Sequence, residues 1–216
     1  GFGEWKPILT EQSHLSYPFV FRAGEDIYMI PENRNGGCLT LYRAAAFPYR
    51  WERCRTIREG IEWVDTTLLR KGDGYVGFTE SMTEPVTDYR LRLDSGLEII
   101  SCEPIAGGGD HRHRCAGPLF HSGEKLVWVT QDCVNDYGQA LFFRICDPQT
   151  MEEEAVVRIT PHQLRLDRKM TLDGMHTYSA SGDFEVIDLK TRRLVPRNFY
   201  YRTKSKIQWF LKRAKA

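Results

Sequence analysis

One plan returns along this chain: an apolar run, a tight turn at glycine, and a second apolar run. It appears as SYPFVFRAGEDIYMIPE from Ser16, VDTTLLRKGDGYVGFTE from Val64, CAGPLFHSGEKLVWVTQ from Cys115 and, more weakly, MHTYSASGDFEVIDLK from Met175. Superposing the turn glycines, Gly24, Gly72, Gly123 and Gly182, spaces the copies 48 to 59 residues apart. Each copy reads as a β-hairpin, because its runs are rich in Val, Tyr, Phe, Trp and Thr and its turn holds a residue that tolerates positive φ. After each of the first three comes another strand pair, beginning near Leu39, Asp88 and Ala140. Two hairpins per period make a four-stranded sheet. A lone sheet of that kind leaves both faces apolar until neighbours stack on them, so a period of about 50 residues predicts an all-β fold of propeller type. The four repeat starts, Ser16, Val64, Cys115 and Met175, are expected to face one central channel. GFGEWKPIL at the N-terminus reads as an outer blade strand, and the aromatic residues of the segment 43–54, broken by Pro48, suit a joint between blades or ordinary packing.

The composition is ordinary for a globular chain, with 41% hydrophobic and 27% charged residues. No apolar run approaches the ~20 residues of a membrane span, and GFGEWKPILTEQ has neither region of a signal peptide. The six cysteines form no CxxC pair and fall mostly in predicted strands, which fits reduced thiols and a cytoplasmic setting. Charge is divided sharply. From Leu189 to Ala216 there are ten Lys or Arg and no acid, leaving twenty cationic against twenty-nine acidic residues in the rest. Ile207, Phe210 and Leu211 keep helical spacing, so residues 205–216 are expected to form a short basic amphipathic helix after a propeller domain spanning 1–204. That tail could dock under the acidic body or meet an anionic membrane surface, making the protein membrane-peripheral. Basic residues are not interleaved with stacking aromatics in the body, which argues against nucleic acid.

Candidate functional residues gather at the repeat starts and the loops beside them. His14 and Tyr17 stand at the start of the first repeat and His176 at the start of the fourth. Asp65, flanked by Thr66 and Thr67, puts a carboxylate at the mouth of a buried strand, where it must find donors or cap a turn. Glu32 and Glu80 end their hairpins at equivalent places, on the same mouth or on the rim. In GGGDHRHRCAG, His111 and His113 alternate as metal-ligand types with Asp110 beside them, but no further ligand has a fixed spacing, so no metal and no other cofactor is assigned. Arg112 and Arg114 offer planar forks for a carboxylate, a phosphate or vicinal hydroxyls. Gln131, Asp132 and Tyr137 lie in QDCVNDYGQ, a polar loop tipped with an aromatic ring, either a sugar grip or a plain turn.

Together, HLSYPFVF, YMIPE, AAAFPYRW, VDTTLL, RCAGPLF, TQD with YG after it, and MHTYSASGDFEVID resemble a glycosidase-like five-bladed propeller domain. That domain stands beside formyltransferase-like domains in bacterial surface-polysaccharide proteins and in plant glucosamine inositolphosphorylceramide transferases. Its wider relatives are the arabinanase and xylosidase propellers, which hold an acid and a base on separate blades. The resemblance implies a five-bladed propeller with a further blade ahead of HLSYPFVF, so that this chain begins inside the domain. It also implies a sugar or nucleotide-sugar ligand and a formyltransferase or glycosyltransferase domain as partner, in cell-surface glycan biosynthesis. In the hydrolases the blade starts carry the catalytic carboxylates; here those places hold Tyr17, Asp65, Ala116 and Met175, of which Asp65 alone is acidic. The expectation is therefore a recognition module. The alternatives are a hydrolase or glycosyltransferase domain using Asp65 with Glu32, Glu80 or Asp132, and a structural module that docks a transferase domain.

Overall fold

The structure is a computed structural model that describes residue 4, residues 6–166 and residues 171–191. It is all-β apart from two single 3-10 turns. Strands β1 (Ser16–Ala23), β2 (Asp26–Glu32), β3 (Cys38–Ala46) and β4 (Arg50–Glu59) form an antiparallel sheet in chain order. A second such sheet is made of β5 (Trp63–Lys71), β6 (Gly74–Ser81), β7 (Thr87–Leu93) and β8 (Ile99–Pro104). The third contains β9 (Phe120–Ser122), β10 (Lys125–Asp132), β11 (Ala140–Cys146) and β12 (Glu153–Ile159). The fourth repeat is less regular. Strand β14 (Tyr178–Ser181) forms a hairpin with β15 (Phe184–Ile187), while β13 (Leu172–Gly174) pairs with β16 (Lys190–Thr191) as a separate ribbon.

The period read from the sequence is thus the period of the sheets. All four leading hairpins close through two-residue loops whose first residue is Gly24, Gly72, Gly123 or Gly182, with φ between 56° and 60°. Glycine meets that conformation without steric cost, in the φ pattern of a type II′ hairpin turn. Each sheet then buries a face against the next. Phe19, Ile30, Leu39 and Leu41 of the first sheet pack with Trp63, Leu68, Tyr75, Leu91 and Leu93 of the second. Phe78 of the second joins Leu126, Trp128 and Cys146 of the third, its ring stacked on Trp128 at 4.2 Å between centroids. Val127, Val129 and Leu141 of the third meet Met175, with Tyr178 and Ile187 packed alongside.

Three expectations need correction. Residues 6–15 form no strand, and Pro7, which lacks a backbone donor, stands where the outer strand was predicted. The aromatics of the segment 43–54 do not join two sheets. Phe47 and Tyr49 sit exposed at the tip of the β3–β4 hairpin, while Trp51 turns inward and donates from Nε1 to Pro48 O at 2.9 Å. Strand structure in the third repeat begins at Phe120 rather than Cys115, which makes a single bridge to Thr130, because Pro118 interrupts the ladder. The predicted helix and basic tail, residues 205–216, lie outside the described residues. All six cysteines are free thiols, and no described helix is long and apolar enough to cross a membrane.

Candidate functional site

The leading strands of the first two sheets are broken at the same place. The register of β1 against β2 shifts between Ser16 and Phe19, and that of β5 against β6 between Val64 and Thr67. Inside these bulges Tyr17 has φ 43° and Asp65 φ 49°, a left-handed conformation that a residue with a Cβ adopts at a cost of about 1–3 kcal/mol. The bulges turn two polar side chains off the sheet faces and toward one another's sheets. Tyr17 shares a 2.7 Å hydroxyl hydrogen bond with Thr67 of β5. Asp65, 3% exposed, accepts from Arg114 Nε at 2.5 Å and from Gln131 Nε2 at 3.0 Å. Three sheets therefore meet at one carboxylate.

Gln131 is fully buried and holds its position by donating also to Cys115 O at 2.8 Å, while its own backbone N–H donates to Arg114 O. Arg114 reaches back with Nη2 to Glu32 Oε2 at 3.4 Å and lies over the Tyr137 ring at 5.3 Å. Burial alone would lower the Arg114 pKa, but the charge and hydrogen bond of Asp65 outweigh it and hold the guanidinium firmly protonated. Glu32 is the unusual group. Burial, followed by a hydrogen bond to Asp65 and that residue's charge, pushes its carboxyl up to about 7 against the pull of Arg114 and Ser16. Two carboxyl groups thus share one guanidinium. Glu80, also buried, is raised to about 6, chiefly by burial and then by the charge of Asp88.

Beside this cluster opens a cavity of about 450 Å³. Asp65, Arg114, Gln131 and Tyr137 line one side, and Tyr17, Phe19, Ala116, Pro118, Tyr178 and Val186 give it apolar walls. Its floor requires glycine at position 117, since a Cβ there would lie 1.9 Å from Tyr178 O. His176 reaches the rim with its ring 5.1 Å from that of Tyr137, and its Nδ1 is in contact with Asp188 Oδ2. Asp188 Oδ1 accepts from the backbone N–H groups of His176 and Thr177 at 2.9 and 2.7 Å. Despite burial, hydrogen bonds from the His176 side chain first and then from the His176 and Thr177 backbone hold the Asp188 carboxyl down at about 2.

Of the residues marked from the sequence, Tyr17, Glu32, Asp65, Arg114, Gln131, Tyr137 and His176 are brought together here. Glu80 lies at the same end, next to His111, whose Nδ1 is 3.5 Å from Glu80 Oε1. His14 stands exposed ahead of β1 and does not line the cavity. Arg112 is half exposed beside Asp110 at 3.4 Å, and its backbone carbonyl rather than its guanidinium is used inside, accepting from Thr130 and Arg144. Asp132 is a structural clamp that accepts from Arg158 Nε at 2.8 Å and Gln139 Nε2 at 2.6 Å. Sequence reasoning missed Asp188, twelve residues from the histidine it fixes, and Asp88, which faces Glu80 across the β6–β7 ladder. Only a known register would have revealed either.

A sequence profile described as "Glucosamine inositolphosphorylceramide transferase 1, N-terminal" matches residues 4–162. The chain is 30% identical over 181 residues to glucosamine inositolphosphorylceramide transferase 1 of Arabidopsis thaliana, covering 76% of this chain and 23% of that protein. It is also 30% identical over 158 residues to the proteins of the same name from Oryza sativa subsp. indica and subsp. japonica, covering 67% of this chain and 21% of each. The chain spans about a fifth to a quarter of the length of these curated relatives.

Proposed function

The chain belongs to the family of glucosamine inositolphosphorylceramide transferase 1 N-terminal domains, and from that premise we propose that it is a sugar-recognition domain serving glycan or glycolipid synthesis, built as a β-propeller around the Asp65 cavity. The propeller reading draws on the serial face-to-face packing of the sheets and on the bulged starts of β1 and β5, which converge on one end. The observation that carries the functional reading is the Asp65–Arg114–Glu32 cluster beside a cavity with aromatic walls. Carboxyl oxygens fixed by buried donors, next to aromatic faces, suit the alternating hydroxyls and C–H faces of a sugar. The Arg114 guanidinium already serves two carboxyl groups and a ring. That arrangement favours hydroxyls, or the amino group of an amino sugar, over the diphosphate of a nucleotide sugar.

A second reading has its own observation. A carboxyl near pH 7 is what a general acid or base needs, and Glu32 is such a group. Glycosidases, however, hold their two carboxyl groups about 5–10 Å apart with the scissile bond between them. Glu32 and Asp65 instead face the same guanidinium, at 3.4 and 2.5 Å from Arg114 Nη2 and Nε, so that the arginine occupies the space between them. Recognition is the better fit. Calorimetric titration with glucosamine, N-acetylglucosamine, myo-inositol and UDP-N-acetylglucosamine tests it. One of the unphosphorylated ligands should bind, and Asp65→Asn should weaken it by about 1–3 kcal/mol through loss of a charge-assisted hydrogen bond. Absence of binding by all four, or affinity untouched in Asp65→Asn, refutes the reading. Release of nitrophenol from aryl glycosides, abolished in Glu32→Gln, would establish the enzyme.

A further inference from the structure

A second polar cluster lies off the Asp65 cavity, between the start of β7 and the glycine-rich loop before the third sheet. His113 Nδ1 is 3.5 Å from Asp88 Oδ2 and 3.4 Å from Asp110 Oδ1. All three donor atoms lie within 4.8 Å of one another. His113 Nδ1 is buried, and neither carboxylate is placed to make a well-aligned hydrogen bond with it. Asp88 is 1% exposed, and its Oδ1 is likewise without a hydrogen-bond partner. A buried carboxylate oxygen and a buried imidazole nitrogen left unpartnered side by side are costly, and a cation held between them would satisfy both.

The spacing has a simple explanation. Ligands bound at about 2.0–2.1 Å in a tetrahedron stand roughly 3.3–3.4 Å apart along its edges, close to the two nitrogen–oxygen separations seen here. Outer contacts hold the donors in place. Asp88 Oδ2 accepts from Gly109 N–H at 2.7 Å, and Asp110 Oδ1 from Arg112 N–H at 3.1 Å. The loop can approach this closely because residues 107–109 are glycines. A Cβ at Gly108 would lie 2.9 Å from Asp88 Oδ2, and one at Gly109, where φ is 83°, 2.4 Å from Val86 O. Such hydrogen bonds to ligating carboxylates are a regular part of metal sites. A further carboxyl, Glu80, faces Asp88 across the ladder, with His111 Nδ1 3.5 Å from its Oε1, while Arg112 stands beside Asp110 and the buried Arg144 acts on His113.

We propose that Asp88, Asp110 and His113 bind a divalent transition-metal cation of the zinc class. One imidazole nitrogen with two carboxylate oxygens suits zinc or its neighbours, whereas calcium takes six to eight oxygens. Three protein ligands leave a position for water, and the half-exposed Asp110 gives access from solvent. The metal would fasten the loop that carries Arg114, which is adjacent to His113 and holds Asp65. It would thereby brace the sugar site without belonging to it.

The test uses the full chain after chelator treatment and dialysis, with Zn²⁺, Co²⁺ and Ca²⁺ as probes. One equivalent of Zn²⁺ should bind, and at a hundredfold excess over its Kd the melting temperature should rise by about 5–10 °C. Co²⁺ should give visible d–d absorption without a thiolate charge-transfer band. Both signals should be lost in Asp110→Asn, a substitution at an exposed loop position, and in His113→Gln. Asp88→Asn should match them if it folds. No heat and no thermal shift with Zn²⁺ overturns the proposal. So does Co²⁺ absorption that survives in both variants or carries a thiolate band, and so does a preference for Ca²⁺.

Discussion

Glu32→Gln should change how stability depends on pH more than it changes stability itself. The Glu32 carboxyl rises from its ordinary 4.5 to about 7 because it is buried against Asp65. A carboxyl whose folded-state pKa exceeds its unfolded value binds more protons in the native state, so its contribution is fully present below pH 4.5 and is lost as pH rises through 7. Integrating between those two values, the loss from pH 5 to pH 8 is about 2–3 kcal/mol. Glutamine keeps the shape and an acceptor for Arg114 but cannot ionise. Urea unfolding of both proteins at half-unit steps from pH 5 to 8 isolates this term, since Glu80 and every other titrating group is common to both. The wild type should lose about 2–3 kcal/mol relative to Glu32→Gln across that range, a change of about 1 M in relative urea midpoint. Parallel stability curves would refute the proton-sharing pair, and a gap opening in the opposite direction would mean that Arg114, not Asp65, dominates the carboxyl.

Gly77→Ala places a Cβ 2.6 Å from Leu68 Cδ2 and 3.2 Å from Thr67 O in the middle of the second sheet. It should cost about 1–3 kcal/mol by overpacking, read as a melting-temperature drop of about 2–10 °C. Trp128→Ala removes the ring stacked on Phe78 between the second and third sheets and should cost about 3–5 kcal/mol, measured by the same unfolding assay. Deleting residues 205–216, with four of the ten cationic residues after Leu189, should reduce binding to phosphatidylserine vesicles. In the intact chain that binding should weaken as salt rises, and salt-independent binding would exclude electrostatic attachment.

The period of the fold was legible because each leading hairpin carries its own local instruction, a glycine at the first loop position between two β-rich runs. Those signals do not depend on anything distant in the chain. The site was legible in part for the same reason. Once the repeats are superposed, Tyr17 falls on Asp65 and Glu32 on Glu80, so their arrival at one end follows from the period. What the sequence conceals is conformation that runs against propensity. Tyr17 rarely adopts positive φ and Asp65 tolerates it without requiring it, yet both adopt it here, and without the bulge each would alternate onto a sheet face in the ordinary way. Partner choice is concealed too. Asp132 and Asp65 look equally available as carboxylates, but Asp132 is spent on Arg158 and Gln139, whereas Asp65 is placed against Arg114, forty-nine residues away in sequence. The bulge and the arginine are therefore one device. The strained backbone presents the carboxylate, the buried Arg114 and Gln131 hold it there, and Glu32 must then share a proton or give up its charge, which makes the strain, the ion pair and the raised pKa interdependent.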